Sequence, residues 1–374
     1  MRLAVLAAAD PLDVRTWSGT PYFMTKTLQK KFPDLIPIRV SRPSWFKFAR
    51  RAASKVTSGR IDLGWSQSLA RRHAREIARQ LKAERAGTVI SIANSSISAY
   101  LGEIIPMIHV SDATVPLMSN YYGEFARLRK SVADSAWQLD IQSVLNAREC
   151  LYSTEWASQS AIRDYKADRS RVHTISWGAN IEHRPALQPD PPEDLCHLVF
   201  IGVDWERKGG QIAVDTVNLM ASRGHRVMLH IIGASPTIPK SDAITVHGFI
   251  DKRTEEGRAK FDTIMRQAAL LFVPTRQDCS PMIFPEANAY GIPVITTSTG
   301  GVPYVVEEGV NGFLLPPEAP PEAYSNIIWS IWSDQERYKR LRRSSQARFE
   351  QRLNWDSWLE SAAPIIQSVM DSTR

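Results

Sequence analysis

Cysteine is nearly absent: Cys150, Cys196 and Cys279 are the only three in 374 residues, and no two stand in a CxxC. That excludes a disulfide framework and fits reduced, buried thiols in a cytosolic protein. No apolar run reaches the roughly 18–20 residues needed to span a bilayer. Short internal repeats and low-complexity tracts are missing too. So are HExxH, Cys/His zinc spacing, the GxSxG elbow and the Walker GxxxxGK[ST] loop, which leaves zinc-protease, serine-hydrolase and P-loop chemistry without a foothold. The eight histidines are scattered, and His73, on a basic helix, is expected in solvent.

What is present is a chain with 43% hydrophobic residues and 11 Trp, 10 Tyr and 12 Phe, enough for sizeable cores and too much for a disordered chain. At roughly 100–200 residues per domain, the length predicts two domains. The formal net charge of +7 is uneven. From Lys26 to Arg85, 16 Lys/Arg face four acids (Asp34, Asp62, Glu76, Glu84), a balance of +12 that leaves −5 for the rest. Such an excess points to an anionic neighbour, whether membrane surface, nucleic acid or acidic acceptor, or to a solvated helix face. Within it, Trp45-Phe46-Lys47-Phe48-Ala49-Arg50-Arg51 mixes aromatics with cations, as membrane-interface segments do. Peripheral contact with anionic lipid by this segment and the Arg71–Lys82 helix is one expectation; an acceptor-side loop packed on its domain is the other.

Leu3–Ala9 reads as a buried first strand rather than a signal sequence, because Asp10-Pro11-Leu12-Asp13 follows at once. The expected location is cytoplasmic, peripheral on the inner membrane face if lipid is the partner. Strands and helices then alternate. Pro21–Lys31 is predicted helical with Thr20 as cap, and Leu69–Leu81 helical with Ala70, Ala74, Ile77, Ala78 and Leu81 as its apolar stripe. Thr88–Ile92, Met107–Val110 and Cys150–Ser153 read as strands of the first half. Leu198–Ile201, Val227–Ile232, Ile244–His247, Leu270–Val273 and Val294–Thr296 read as strands of the second, separated by helices at Gly210–Ser222, Thr254–Ala269 and Pro285–Tyr290. The proline cluster from Arg184 to Pro192 is the expected linker. The fold class is α/β: two Rossmann-like doubly wound parallel-sheet domains facing a cleft, with ligands at the carboxyl ends of the strands. The predicted domains are 1–183 and 184–354, with 355–374 packing back on the first.

Two segments carry chemistry. In Gly202-Val203-Asp204-Trp205-Glu206-Arg207-Lys208-Gly209-Gly210 a strand ends, two cations stand in the loop and two glycines open a helix. This reads as an anion site: free N–H groups and the positive dipole end at the helix start, glycines that let a phosphate approach, and Lys208 and Arg207 to neutralise a diphosphate. A capped surface turn with exposed cations is the plainer alternative. In Asp278-Cys279-Ser280-Pro281-Met282-Ile283-Phe284-Pro285-Glu286 a loop acid is followed eight residues on by a helix acid, and Gly291-Ile292-Pro293 turns into the next strand. Carboxylates accept hydrogen bonds from sugar and ribose hydroxyls.

Asp278-x7-Glu286 with Gly291-Ile292-Pro293-Val294 resembles the acid-x7-acid pattern of retaining, nucleotide-sugar-dependent glycosyltransferases of family 4, which have the GT-B fold. The Gly202…Lys208-Gly209-Gly210 segment resembles that family's diphosphate loop. Tyr152–Ala157, Ile175–Asn180, Gly300–Pro303 and Gly309–Phe313 are similar to further stretches of it. The likeness is strong from about 150 to 315 and weak before.

The resemblance implies that Lys208 binds the donor diphosphate, Glu286 the ribose and Asp278 hydroxyls of the transferred sugar. It implies that main chain around Ser280, Pro281, Met282 and Ile283 cradles sugar and phosphate, that His247 and Phe249 border the base, and that Gly202, Gly209 and Gly19 lie close to the donor. His109, Ser111 and Asp112 fall on the acceptor side. In three places the chain departs from the family: Asp278 is one methylene shorter than the usual Glu, Val203 stands where an Arg is common, with Arg207 as the substitute, and Tyr304 replaces a Glu. The implied activity is retaining transfer of a sugar from a nucleoside diphosphate sugar to an acceptor hydroxyl. The acceptor is a carbohydrate or lipid-linked compound, in glycan, glycolipid or polysaccharide biosynthesis, and neither metal, cofactor nor nucleic acid is expected. The alternatives are an epimerase or phosphorylase of the same fold, and a non-catalytic membrane- or nucleic-acid-binding protein.

Overall fold

The computed structural model describes residues 2–40, 44–185 and 194–372, so the expected proline linker lies, from residue 186 on, outside the described residues. The chain divides into two compact units, Met1–Trp177 with Trp355–Arg374, and Gly178–Asn354.

The first unit holds a six-stranded sheet in the order β2-β1-β3-β4-β5-β6. Its strands are β1 Arg2–Ala7, β2 Ile36–Ile38, β3 Ala86–Ile92, β4 Met107–Ser111, β5 Glu149–Tyr152 and β6 Val172–Thr174. Every pairing is parallel. β3 and β4 are buried along their whole length, because helices cover both faces of such a sheet. The polar residues they carry, Thr88 and Ser91 on β3 and His109 and Ser111 on β4, are therefore buried with the apolar ones. β2 and β6, three residues each, form the sheet's edges; runs this short carry no pattern to detect. The C-terminal helix Trp355–Asp371 packs against Thr20–Lys31 and against β3 and β5.

Two local readings change. Thr20 is the first helical residue rather than the cap; Gly19 precedes it in the left-handed region (φ 84), which glycine enters at no steric cost. His73 is buried rather than solvated, since it lies three residues after Ala70 on the inner stripe of the Gln67–Ala83 helix. The cationic aromatic segment Trp45–Arg51 lies within a helix, Ser44–Val56.

The second unit holds β7 Cys196–Gly202, β8 Val227–Gly233, β9 Ile244–Gly248, β10 Leu270–Val273, β11 Val294–Thr297 and β12 Gly312–Leu315. The order is β12-β11-β10-β7-β8-β9, again wholly parallel. Its core runs from Leu198 and Phe200 through Phe272 and Ile295 to Ile328 and Tyr338. Buried thiols fit the apolar interiors: burial pushes Cys150 up to about 12 and Cys196 higher still, which keeps both protonated.

Candidate functional site

The second sheet has one point where strand order reverses. The chain leaves β7 towards β8 and β9, then returns to β10 on β7's other side. Connections after β7 and β10 therefore run in opposite directions, and a crevice opens at their carboxyl ends. The loops that follow these two strands are stitched together there. The Arg276 N–H donates to the Arg207 carbonyl at 2.8 Å, and Arg207 Nη1 donates to the Gln277 carbonyl at 2.9 Å. Arg207 Nε also reaches Asp204 Oδ2 at 3.1 Å, so its guanidinium spans both loops.

At this switch point Lys208 forms an ion pair with Asp278, side chains 12% and 9% exposed. Two charges taken this far out of water must compensate one another. The shorter Asp at 278 reaches the lysine. Glu286, on the helix Ile283–Ala289 that follows, is buried and pairs with Lys252, Nζ to Oε2 3.0 Å. Each carboxylate of the acid pair is thus met by its own lysine. Pro281 is buried and its carbonyl accepts the Phe284 N–H at 3.1 Å; Ser280, Met282 and Ile283 are half-buried around it.

The structure alters the physical reading of the glycine loop. Three N–H groups of the loop and helix start are used within the turn: Lys208 donates to the Asp204 carbonyl (3.0 Å), Gly209 to Glu206 (3.1 Å) and Gly210 to Trp205 (2.9 Å). The turn coils back before the helix begins, so the first helical N–H, that of Gly210, is already taken. The glycines also serve packing. A Cβ on Gly209, where φ is +73, would lie 2.0 Å from the Pro274 carbonyl oxygen, and one on Gly210 would lie 2.2 Å from the Trp205 ring. At Gly202 it would meet the stem of Lys208 at 2.8 Å, so that glycine leaves the lysine its channel.

Further out along the carboxyl edge, Phe249 is 71% exposed just beyond β9. His247 lies within β9, as the strand reading of Ile244–His247 has it, and its Nε2 is 3.1 Å from His230 Nδ1. His230 Nε2 is in turn 2.9 Å from His197 Nδ1, which makes a chain of three stacked imidazoles across β9, β8 and β7. Burial, with His197 and His247 on either side, pushes His230 down to about 4. Tyr304, at the departure from the usual Glu, lies under the Arg352 guanidinium at 4.2 Å.

In the first unit, Gly19 is buried and ends a turn whose three residues all have positive φ: Trp17 46°, Ser18 57° and Gly19 84°. Such strain needs support, and Trp17 rests edge-on against Trp177 at 5.2 Å. His109 and Ser111 are buried on β4. His109 Nδ1 is 3.1 Å from Ser143 Oγ, while Ser111 Oγ donates to the Ala113 carbonyl at 2.9 Å. Asp112, next on the chain, is half-buried. Burial lowers the His109 pKa, which favours the neutral ring. Beside them Asp140 is a hub absent from the sequence reading: it accepts from Ser95 Oγ, from the Val115 N–H (2.9 Å) and from the Tyr165 hydroxyl (2.6 Å). Lys252 was missed as well. The signal available for it was a cation three residues after Phe249, which the resemblance sets beside the base.

Residues 196–334 match the family described as Glycosyl transferases group 1. The D-inositol 3-phosphate glycosyltransferase of Corynebacterium glutamicum (strain R) is 26% identical over 281 residues, 70% of this chain and 65% of the relative. That of Streptomyces avermitilis is 22% identical over 256 residues, covering 63% and 55%. The chain thus spans less than two thirds of the length of these curated relatives. Among solved structures, the sucrose-phosphate synthase of Thermosynechococcus elongatus superposes with a TM-score of 0.70 at 14% identity, covering 100% of both chains. Anabaena HepE in complex with UDP gives 0.66 at 16%, covering 98% of this chain and 100% of the other. These likenesses show the GT-B fold.

Proposed function

We propose that the chain, whose residues 196–334 match the family described as Glycosyl transferases group 1, moves a sugar from a nucleoside diphosphate sugar to an acceptor hydroxyl with retention at the anomeric carbon. The observation that carries this reading is the Lys208–Asp278 pair at the switch point, with Glu286 on the next helix. The bond from the anomeric carbon to the β-phosphate oxygen breaks, and the acceptor oxygen bonds to the same face. The acceptor proton passes to the leaving oxygen. The barrier falls as the diphosphate's growing charge is held by Lys208 and Arg207, without a metal. For this Lys208 must turn from Asp278 to the phosphate. That exchange frees Asp278 to accept from sugar hydroxyls, while Glu286 accepts from the ribose. Phe249 offers an exposed ring where the base would lie, beside His247.

Direct assay of UDP-, GDP- and ADP-sugars for hydrolysis or transfer tests the reading. Wild type turns over at least one of them. Lys208→Met lowers nucleoside diphosphate affinity about 10- to 100-fold, the loss of one charge-assisted contact. A pure protein that neither binds nor turns over any of them is not this enzyme. Activity is expected to survive EDTA; loss restored by added Mg²⁺ or Mn²⁺ would refute the metal-independent scheme.

The acceptor side is basic. The curated relatives carry the name of an inositol phosphate enzyme, and an anionic acceptor, or one held at an anionic membrane, fits the +12 balance of Lys26–Arg85. The Ser44–Val56 helix favours the membrane. It exposes Lys47, Arg51 and Lys55, four residues apart, and beside them Trp45, Phe48 and Val56 at 69%, 75% and 85%. No acid stands between Asp34 and Asp62, so the face is uniformly cationic. Aromatics beside cations suit insertion at an anionic headgroup layer. In this reading the protein is cytoplasmic and peripheral on the inner membrane face. Flotation with phosphatidylglycerol vesicles at low and high salt tests it: Trp45→Ser/Phe48→Ser should release the protein, and absence of wild-type binding at low salt would refute it.

A further inference from the structure

We infer that Lys252 is a positioning residue for the nucleotide's ribose, acting through Glu286; the inference rests on the transferase reading above, in which Glu286 takes the ribose hydroxyls. Glu286 is fixed on the short helix Ile283–Ala289 with its side chain 6% exposed, and its Oε2 takes the Lys252 ammonium at 3.0 Å. A buried carboxylate is acceptor-only and has two oxygens with about four lone-pair sites. One lysine on Oε2 leaves sites on both oxygens for a vicinal diol, which donates one hydrogen bond to each.

Lys252 is held where it can do this. It follows β9 and precedes the helix Glu255–Gln267. Its Nζ lies 4.9 Å from the centre of the buried Phe261 ring, a cation–π seat that fixes the ammonium on one side while Glu286 fixes it on the other. The loop backbone is tied down: Arg258 Nη1 donates to the carbonyls of Arg253 (2.8 Å) and Lys252 (3.3 Å). The side chain nevertheless stays 46% exposed, so it opens onto the surface that a ligand would cover. The arrangement differs from that of Lys208 on Asp278, where both partners are nearly sealed. Lys208 must leave its carboxylate for the diphosphate, whereas Lys252 can remain on Oε2 while the diol binds. Its work is to hold the carboxylate's orientation and to balance its charge once the nucleotide excludes water.

Calorimetric titration of the full chain with UDP, GDP and ADP, and with their 2′,3′-dideoxy forms, tests the assignment. For whichever ribonucleotide binds, Lys252→Met is expected to weaken binding about tenfold, with Lys252→Arg recovering most of the loss. For the dideoxy form of the same nucleotide the two variants and wild type should bind alike. Equal losses for both forms would overturn the inference, because the lysine would then be serving phosphate or base. So would a Lys252→Met variant of wild-type affinity. Glu286→Gln separates this failure from that of the underlying reading: if Glu286→Gln also leaves the ribo-to-dideoxy ratio at its wild-type value, Glu286 does not hold the ribose. Melting temperatures of each variant distinguish a folding defect from a lost contact, and Lys252→Arg carries the test if Lys252→Met fails to fold.

Discussion

Gly210→Ala distinguishes packing from ligand approach at the glycine pair. The added Cβ would lie 2.2, 2.3 and 2.5 Å from three atoms of the Trp205 ring, far inside any real carbon contact. Two responses are open. The ring can swing out, losing its edge-on packing on the buried Phe200 at 5.4 Å, or the start of the Gly210–Ser222 helix can shift. Overpacking of this kind costs about 1–3 kcal/mol. Alanine gains up to about 1 kcal/mol over glycine in a helix interior and less at the first helical residue, which leaves a net cost of about 1–2 kcal/mol. A domain of this size loses about 2–4 °C per kcal/mol, so the melting temperature should fall by about 2–8 °C. The cycle with Trp205→Ala completes the argument. Without the ring, the added methyl has room, and Gly210→Ala should become neutral or slightly stabilising. Additive effects of the two substitutions would refute the packing account. An unchanged melting temperature together with lost nucleotide binding would also refute it, and would restore the reading in which glycine serves the phosphate.

The histidine chain sets a pH dependence. His230 is held down near 4 in the folded protein against about 6.5 unfolded, so between these values the unfolded chain binds the extra proton and stability falls as pH falls. Burial lowers the flanking His197 and His247 as well, opposed at His197 by Asp194 and reinforced at His247 by Lys260. The loss should approach about 2 kcal/mol at pH 4, allowing for solvent screening, and His230→Gln should flatten that limb of the melting curve against pH. Asp140→Ala should cost roughly 3 kcal/mol or more in thermal unfolding, because it strands the Val115 N–H and the Ser95 and Tyr165 hydroxyls; Asp140→Asn, which keeps one acceptor oxygen, should cost less, and equal losses would refute the hub. Gly209→Ala should destabilise more than Gly210→Ala, since its clash is with backbone (Pro274 carbonyl oxygen, 2.0 Å) and its φ of +73 is left-handed; a smaller melting shift would contradict this.

How far the sequence could be read follows from which forces act locally. Central strands such as Leu270–Val273 are apolar on both faces, and the Gly210–Ser222 helix carries its own punctuation, so both were legible to the residue. The edge strands Ile36–Ile38 and Val172–Thr174 exist because a neighbouring strand offers hydrogen bonds, and that offer is not written in three residues. Polar burial was the other blind spot. His73 looked solvated among arginines because its partners on the inner stripe are set by helix phase, and Asp140 resembled any surface acid on its helix.

The acid-x7-acid spacing identified Asp278 and Glu286, but spacing along one segment cannot say what meets them across space. Asp278 is partnered by a residue 70 positions earlier and Glu286 by one 34 positions earlier, each delivered by a different strand end. The reversal of strand order between β7 and β10 makes the first pairing possible: two loops that diverge from adjacent strands must face one another, so a cation in one meets an acid in the other. The second pairing follows from where β9 ends, two strands further along the edge. A sequence reading that had gone from strand order to facing loops would have asked which cation stands opposite each acid. For Glu286 that question leads to Lys252, the lysine whose removal should be felt only by a nucleotide that carries its ribose hydroxyls.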